Sequence, residues 1–220
     1  MQPIIQVQNI HKSFGDLQII KGLTLAIQQG ESYSIQGPSG CGKSTLFSLL
    51  SGMEKPDAGK VIFAGQEVQA FSRRQWAKLR GQEMGIVFQD FHLIPSLSVV
   101  DNILIVDKIL GNKPQLDKAM ESLNQIGLGD RLKHNPQQLS GGEQQRLAIL
   151  RALHHQPKIL LADEPTGSLD EESADKIEEF FFQQVKKESL SLVLITHNPK
   201  LAQQCQNQFS MHQGVLHSVD

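Results

Sequence analysis

Nine consecutive residues, Gly37-Pro38-Ser39-Gly40-Cys41-Gly42-Lys43-Ser44-Thr45, constrain this chain more than any other segment. Gly37 and Gly42 bracket four residues, and a lysine and a hydroxyl residue follow directly. Before the run lies a short apolar-containing strand candidate over 33–36. After it, Leu46, Phe47, Leu49 and Leu50 form a helical stripe. A strand, a glycine-rich loop and a helix in that order make a phosphate cradle. Glycine has no β-carbon to block close approach and tolerates positive φ, so successive backbone N–H groups can surround an anion at the helix N-terminus. A tight buried turn would account for the glycines but not for the flanks. In such a loop Lys43 reaches the β- and γ-phosphate oxygens, the Ser44 hydroxyl is placed to ligate Mg²⁺, and Thr45 contacts the α-phosphate.

A second chemical group follows about 120 residues later. Residues 158–162 read as a fully buried parallel strand, and Asp163-Glu164-Pro165 stands at its carboxyl end. Adjacent carboxylates on a strand point to opposite sides and divide the work. Asp163 is expected to hold Mg²⁺ through water, and Glu164 to act as general base on the attacking water. An exposed acidic turn closed by proline is the plainer alternative for these residues taken alone.

Between the two lies Leu139-Ser140-Gly141-Gly142-Glu143-Gln144-Gln145-Arg146. Ser140 and Glu143 have capping-box spacing, and Leu147, Leu150 and Leu153 continue at one-turn intervals. The glycine pair weakens the helix but leaves bare N–H groups at its positive end, open to an anion. One nucleotide already held by the first loop cannot readily be gripped by a second N-terminus of the same domain. The Ser140–Glu143 segment is therefore expected to close on a nucleotide held by another copy.

With these residues in order, the chain resembles ATP-binding-cassette (ABC) ATPases over essentially its whole length. Lys43 and Ser44 match the Walker A motif, Gln89 the Q-loop, Leu139 to Arg146 the signature, Asp163 and Glu164 Walker B, Ser168-Leu169-Asp170 the D-loop, and His197 the switch histidine. The resemblance implies a P-loop α/β core with a mixed sheet and flanking helices, a small antiparallel β subdomain and an inserted α-helical subdomain. It implies ATP and Mg²⁺ as ligands, with Gln89 reaching the metal or the water and His197 contacting the γ-phosphate. Phe14 falls where the family stacks an aromatic on adenine, although a phenylalanine after a strand is often core. A homodimer in the ATP-bound state follows from the same resemblance.

Composition is consistent with one domain over 1–220, its helical subdomain near 90–155. The chain has 39% hydrophobic residues, 21 basic and 23 acidic side chains, and a formal charge of −2. No basic stripe suggests nucleic acid as a partner. Cys41 and Cys205 form neither a disulfide framework nor a metal spacing, which suits a reducing compartment, and Cys41 inside the loop is a candidate for thiol reagents. No apolar run is long enough to span a bilayer, and Met1-Gln2-Pro3-Ile4-Ile5 has no leader pattern. The expected location is cytoplasmic, peripheral on the inner face of a membrane. Strands are expected over 4–10, 23–27 and 192–195, and helices over 116–126, stopped by Gly127, and 171–187. His154 and His155 read as surface residues.

Residues 88–100 carry the best indication of a partner. In ABC transporters this region forms the groove for a short helix of the integral membrane permease subunit, and Phe91, Leu93 and Ile94 would line it, or else belong to the local core. The Phe91 to Pro95 run, the run from Asp163 to Asp170 and Glu143 resemble the lipoprotein-releasing, macrolide-exporter and cell-division group. Gly167-Ser168 departs from that group's usual Gly-Asn, as do Cys41 and Leu150, without removing a chemical group. Export, force transmission without transport, and import all stay open at this level, as does a soluble non-transport role.

Overall fold

The computed structural model describes residues 2–219; Met1, where the leader pattern was sought, lies outside them. A long hairpin opens the chain. β1 (Pro3–Phe14) and β2 (Leu17–Gln28) pair antiparallel from Pro3 opposite Gln28 to Phe14 opposite Leu17, well beyond the expected strands over 4–10 and 23–27. Most of the extra residues are polar or exposed, with Ile20 a buried exception, so apolar alternation under-reads these strands. Next come β3 (Ser32–Gln36), α1 (Lys43–Leu50), β4 (Ala58–Phe63), β5 (Gln66–Glu67), α2 (Arg73–Glu83) and β6 (Met84–Val87). A helical segment follows, with α3 (Val99–Leu110), α4 (Leu116–Gln125) and α5 (Gly141–Leu153). The chain closes with β7 (Ile159–Asp163), α6 (Glu171–Lys187), β8 (Ser191–Ile195), α7 (Pro199–Ala202), β9 (Asn207–His212) and β10 (Val215–Ser218).

Two sheets result. The antiparallel one has the order β2-β1-β4-β5, and the six-stranded one the order β10-β9-β3-β8-β7-β6, parallel throughout except for β10 at its edge. The fold is thus the expected α/β core with a mixed sheet, a small antiparallel sheet and a group of helices.

Covering both faces of the large sheet explains its continuous apolar strands. Ile159, Leu161, Val193 and Ile195 face β1, β2 and α1, whereas Leu160, Ala162, Leu192 and Leu194 face α5, α6 and Leu201. A side-chain period of two sorts each strand between two cores, and each fully buried Leu or Ile contributes roughly 1.5–3 kcal/mol. A third cluster is made by α3, α4 and α5 from Val99, Ile103, Ala119, Leu123, Leu147 and Leu150. Leu116, the first apolar residue of the helix expected over 116–126, is exposed at its first turn. α6 buries Ile177, Phe181 and Val185 at four-residue intervals, while Phe180 is only partly covered. Asp170 caps its first turn by accepting from the Ser173 N–H at 3.0 Å.

Register determines what meets at the sheet edge. Ile35 pairs with Ile195, Ile195 with Asp163, and Ala162 with Val87. The loops after β3, β6, β7 and β8 therefore leave from one carboxyl edge, where parallel α/β sheets collect ligands. Gly37–Gly42, Gln89, Asp163-Glu164 and His197 are brought together there.

Candidate functional site

The glycine loop is shaped by contacts as well as by phosphate geometry. Gly42 forms the N-cap of α1 at φ 112°, where a β-carbon would lie 2.9 Å from the Met211 methyl and 3.2 Å from Ile19. At Gly37 a β-carbon would meet the Met211 carbonyl oxygen. Only glycine fits either place. Pro38, Ser39 and Gly40 are exposed, and the Lys43 ammonium donates to the carbonyls of Gly37 at 2.8 Å and Pro38 at 3.1 Å. Ser44 is exposed beside it and Thr45 half-buried. Cys41, by contrast, is 7% exposed, and its carbonyl accepts from Gly214. A thiol turned into the core is shielded from reagents, which corrects the expectation of ready reactivity.

The two carboxylates diverge for a reason other than strand alternation. Asp163 ends β7, but Glu164 lies past the strand at φ 48°, a left-handed conformation that a non-glycine residue adopts at some cost. The Glu164 N–H donates to the Ile195 carbonyl at 2.9 Å and its carbonyl accepts from Gly167 at 3.0 Å, so the turn is held at both ends. The Glu164 carboxylate, 15% exposed, stands 2.8 Å from Nδ1 of His197, whose own side chain is 71% exposed. Burial, with the neighbouring Glu164 charge, pushes the Asp163 carboxyl up to about 6 against the opposing pull of Lys43.

Gln89 is exposed and lies against Gly167, where a β-carbon would come within 3.3 Å of its amide. The Ser168 hydroxyl donates to the Gln89 carbonyl at 3.0 Å, tying the two loops together. Further ties were not legible as motifs. Gln145, fully buried on α5, donates to the Pro165 carbonyl, and Arg151 donates to the carbonyls of His92 at 2.6 Å and Phe91 at 3.1 Å. Each joins α5 to a loop at the sheet edge, and only spatial proximity reveals it.

At the start of α5, Ser140 accepts from the Glu143 N–H at 3.3 Å, and Glu143 accepts from the Ser140 N–H at 2.8 Å. That second bond outweighs partial burial and holds the Glu143 carboxyl below its ordinary range. Gly141 and Gly142 lie close to Leu169 and Ser173, where a β-carbon on Gly141 would be tight at 3.2 Å. Phe14 is 53% exposed at the tip of the β1–β2 hairpin and not in the core, with the Lys12 ammonium 5.3 Å from its ring centroid. Lys12 itself is held by Glu54 and Asp57 at 3.0 and 3.1 Å.

The histidines need a correction. His154 is 4% exposed, its Nε2 donating to Asp107 at 2.9 Å, and Lys118 donates to its carbonyl at 2.8 Å. His155 is half-buried against the Met84 carbonyl, and burial pushes its imidazole down. Both follow α5 in the crevice between α3, α4 and β6, a position that a polar pair gives no local sign of. Beside them runs an apolar groove of about 340 Å³ lined by Met84, Ile86, Ile94, Ile105 and Ile109, with Arg151 at its side. Ile94 belongs to it, whereas Leu93 packs on the α3–α5 core.

A glycine cradle at a helix start, two carboxylates at the end of the next strand but one and a histidine on the second carboxylate define a phosphate-loop nucleoside triphosphatase. The chain belongs to the ABC transporter family, whose model matches residues 20–167, and it is an ABC ATPase. It is 40% identical over 221 residues to the lipoprotein-releasing system ATP-binding protein LolD of Legionella pneumophila (strain Paris), covering 98% of this chain and 97% of that one. A LolD from Bdellovibrio bacteriovorus is 41% identical, with 94% and 96% covered. Among solved structures, the dimeric bacterial ABC transporter cassette MJ0796 matches at a TM-score of 0.87 and 31% identity, over 98% of this chain and 99% of that one. CbiO1 from Clostridium perfringens, described as part of the cbiONQ transporter complex, matches at 0.86 and 29% identity, over 99% and 88%.

Proposed function

We propose that two copies of this chain bind two ATP molecules head to tail and that their closure drives a separate membrane complex of the lipoprotein-releasing kind. Each nucleotide would lie between one copy's Gly37–Thr45 loop and the other's Ser140–Glu143 segment, which a two-fold dimer satisfies at both sites. The observation that carries this reading is the 2.8 Å pairing of His197 with Glu164 on the same sheet edge as Lys43 and Asp163. The dimeric state of the MJ0796 cassette, seen also in its post-hydrolysis structure with ADP and phosphate, supports the arrangement.

The Ser44 hydroxyl, the Gln89 amide oxygen and the Asp163 carboxylate form an all-oxygen set that suits a small hard cation. Among the described residues no three His, Cys, Asp or Glu side chains gather into a metal cage, so the shell would draw on Ser44, Gln89 and Asp163 together with phosphate oxygens. A bound magnesium ion would neutralise charge on the β- and γ-phosphates. Lys43 binds the same phosphates as a point charge, and Gly37–Gly42 supply backbone N–H groups. Glu164 accepts the proton of the attacking water while His197 Nδ1–H holds its carboxylate in place. Phe14, exposed at its hairpin tip, offers a face for adenine. The groove at Ile94, Ile105 and Ile109 is offered to a helix of the permease, somewhat beyond the 88–100 segment read from the sequence. No helix among the described residues is long and apolar enough to cross a membrane, so attachment to its cytoplasmic face would run through that groove.

The test is Glu164→Gln. It should lower ATP turnover at least about 100-fold while leaving nucleotide binding intact, and light scattering in Mg-ATP should show a doubled mass. Parental turnover, or a monomer at saturating Mg-ATP, would overturn the sandwich mechanism.

A further inference from the structure

One buried carboxylate near the site takes no part in the chemistry described so far. Glu178 lies about two turns into α6, beside Ile177 at the start of the buried stripe, and is 8% exposed. Its Oε1 accepts from the Asn198 side-chain amide at 3.0 Å and from the Thr166 hydroxyl at 3.4 Å. Thr166 is two residues beyond Glu164, and Asn198 is the residue after His197. The same side chain thus touches both loops that carry the hydrolytic pair. It lies on the wall of a cleft of about 510 Å³ that Glu164, Thr166, His197 and Asn198 also line.

We propose that Glu178 is a positioning residue for hydrolysis: by holding Thr166 and Asn198 to one carboxylate oxygen, it fixes the spacing of Glu164 and His197. The inference rests on the catalytic reading of those two residues given above. Each loop is also held by a bond from its own backbone N–H. The Glu164 N–H is bound to Ile195, and the Asn198 N–H donates to the Thr196 hydroxyl at 3.0 Å. Asn198 Oδ1 caps α7 by accepting from Lys200 and Leu201 at 3.0 and 3.4 Å, so its amide N–H groups are turned the other way, towards Glu178. Without the carboxylate, the side-chain tie left between the two loops among the described residues is the Glu164–His197 contact itself. That contact involves a side chain 71% exposed, free to rotate unless its loop is fixed. Burial pushes the Glu178 carboxyl up, so retaining a charge there is unfavourable for folding alone. A stability cost beside an active site is the pattern expected of a residue kept for geometry.

The experiment compares Glu178→Met, Glu178→Gln and Asn198→Asp with the parent by steady-state ATP hydrolysis, nucleotide binding and thermal unfolding. Methionine fills similar space without an acceptor. It should melt at or above the parental temperature while kcat falls about 10- to 100-fold, the range expected of a misplaced catalytic group. KM for ATP should stay within about 2-fold, because binding groups are untouched. Glutamine keeps Oε1 as an acceptor and should hold kcat within about 3-fold of the parent. Asn198→Asp preserves the cap of α7 but opposes a second carboxylate to Glu178, and should lower kcat as methionine does. In a His197→Ala background, adding Glu178→Met should cost less than about 2-fold, since the pair whose spacing it fixes is already broken.

Parental kcat in Glu178→Met, a loss carried by KM, an equal loss in Glu178→Gln, or full additivity with His197→Ala would each overturn the proposal. So would a collapse of the melting temperature in Glu178→Met, which would make the carboxylate structural. Glu164→Gln run alongside separates the two claims. Parental turnover in that variant would refute the catalytic reading, whereas its inactivity beside a fully active Glu178→Met would refute the positioning role alone.

Discussion

Asp107→Ala tests how the helical segment is held to α5. Asp107 and His154 are both 1% exposed in their side chains, 2.9 Å apart, and 47 residues distant in sequence. Asp107 also accepts from the Gln115 N–H at 2.8 Å and its amide at 3.3 Å, so one carboxylate serves α3, the start of α4 and the end of α5. Removing it leaves three donors to find other partners. A buried donor without a partner costs about 1–3 kcal/mol, so with three donors released a loss of about 3–5 kcal/mol is expected. For a chain of this size each kcal/mol lowers the melting temperature about 2–4 °C, which gives a fall of roughly 6–20 °C. Urea unfolding followed by circular dichroism measures the free energy, and Asp107→Leu with His154→Leu should recover the His154 share of it while the two Gln115 donors stay without their acceptor. The pH dependence carries a sign. Desolvation raises the Asp107 carboxyl, but the Gln115 N–H and His154 outweigh it and hold it below its ordinary value. A depressed carboxyl contributes stability above its unfolded pKa of about 4 and loses it as pH falls through the folded value. The gap between parent and variant should therefore be full at neutral pH and shrink only below about pH 4. A loss under about 1 kcal/mol at pH 7 would show that the three bonds are not closed against water, and the argument would fail.

Two further outcomes follow from exposed groups. Phe14→Ala removes a base-stacking face worth about 1–3 kcal/mol, so ATP affinity should weaken about 5- to 150-fold while pyrophosphate binding is unchanged, both read by calorimetry. Equal weakening of both ligands would place Phe14 away from the base. Ile109, 74% exposed on α3 at the groove, should tolerate replacement by Asp without loss of fold or basal ATPase activity. Ile109→Asp should instead lose its membrane partner in pull-downs from detergent extracts, and undiminished recovery would move the docking surface elsewhere.

The elements that could be read from residues alone are those whose determinants are close in the chain. Leu160, Leu161 and Ala162 announce a strand covered on both faces, and Ser140 with Glu143 announces a helix start, because cap and donor are three residues apart. The glycine loop is legible for the same reason: backbone freedom, lysine and hydroxyl occur within nine residues. What failed was whatever depended on contacts across the chain. His154 and His155 look like surface residues until α3 and β6 close over them. Cys41 looks reactive until Met211 and Gly214 arrive from β9 and the turn after it. The direction of Glu164 comes from a left-handed turn held by Ile195, not from the alternation that strand geometry suggested.

By itself, then, the sequence determined the local chemistry: an anion cradle at Gly37–Thr45, a carboxylate pair at Asp163 and Glu164, a second helix start at Ser140, and the strands and helices that carry them. The tertiary structure alone decided which of these meet. Parallel register aligns Ile35, Asp163 and Ile195 so that their loops share an edge, and burial selects Glu178, Gln145 and Asp107 as ties between loops that are tens of residues apart. The physical reason is range. Capping, turn geometry and side-chain periodicity act over a few residues and are written in composition and spacing, whereas desolvation and buried hydrogen bonds depend on neighbours that only the folded chain supplies.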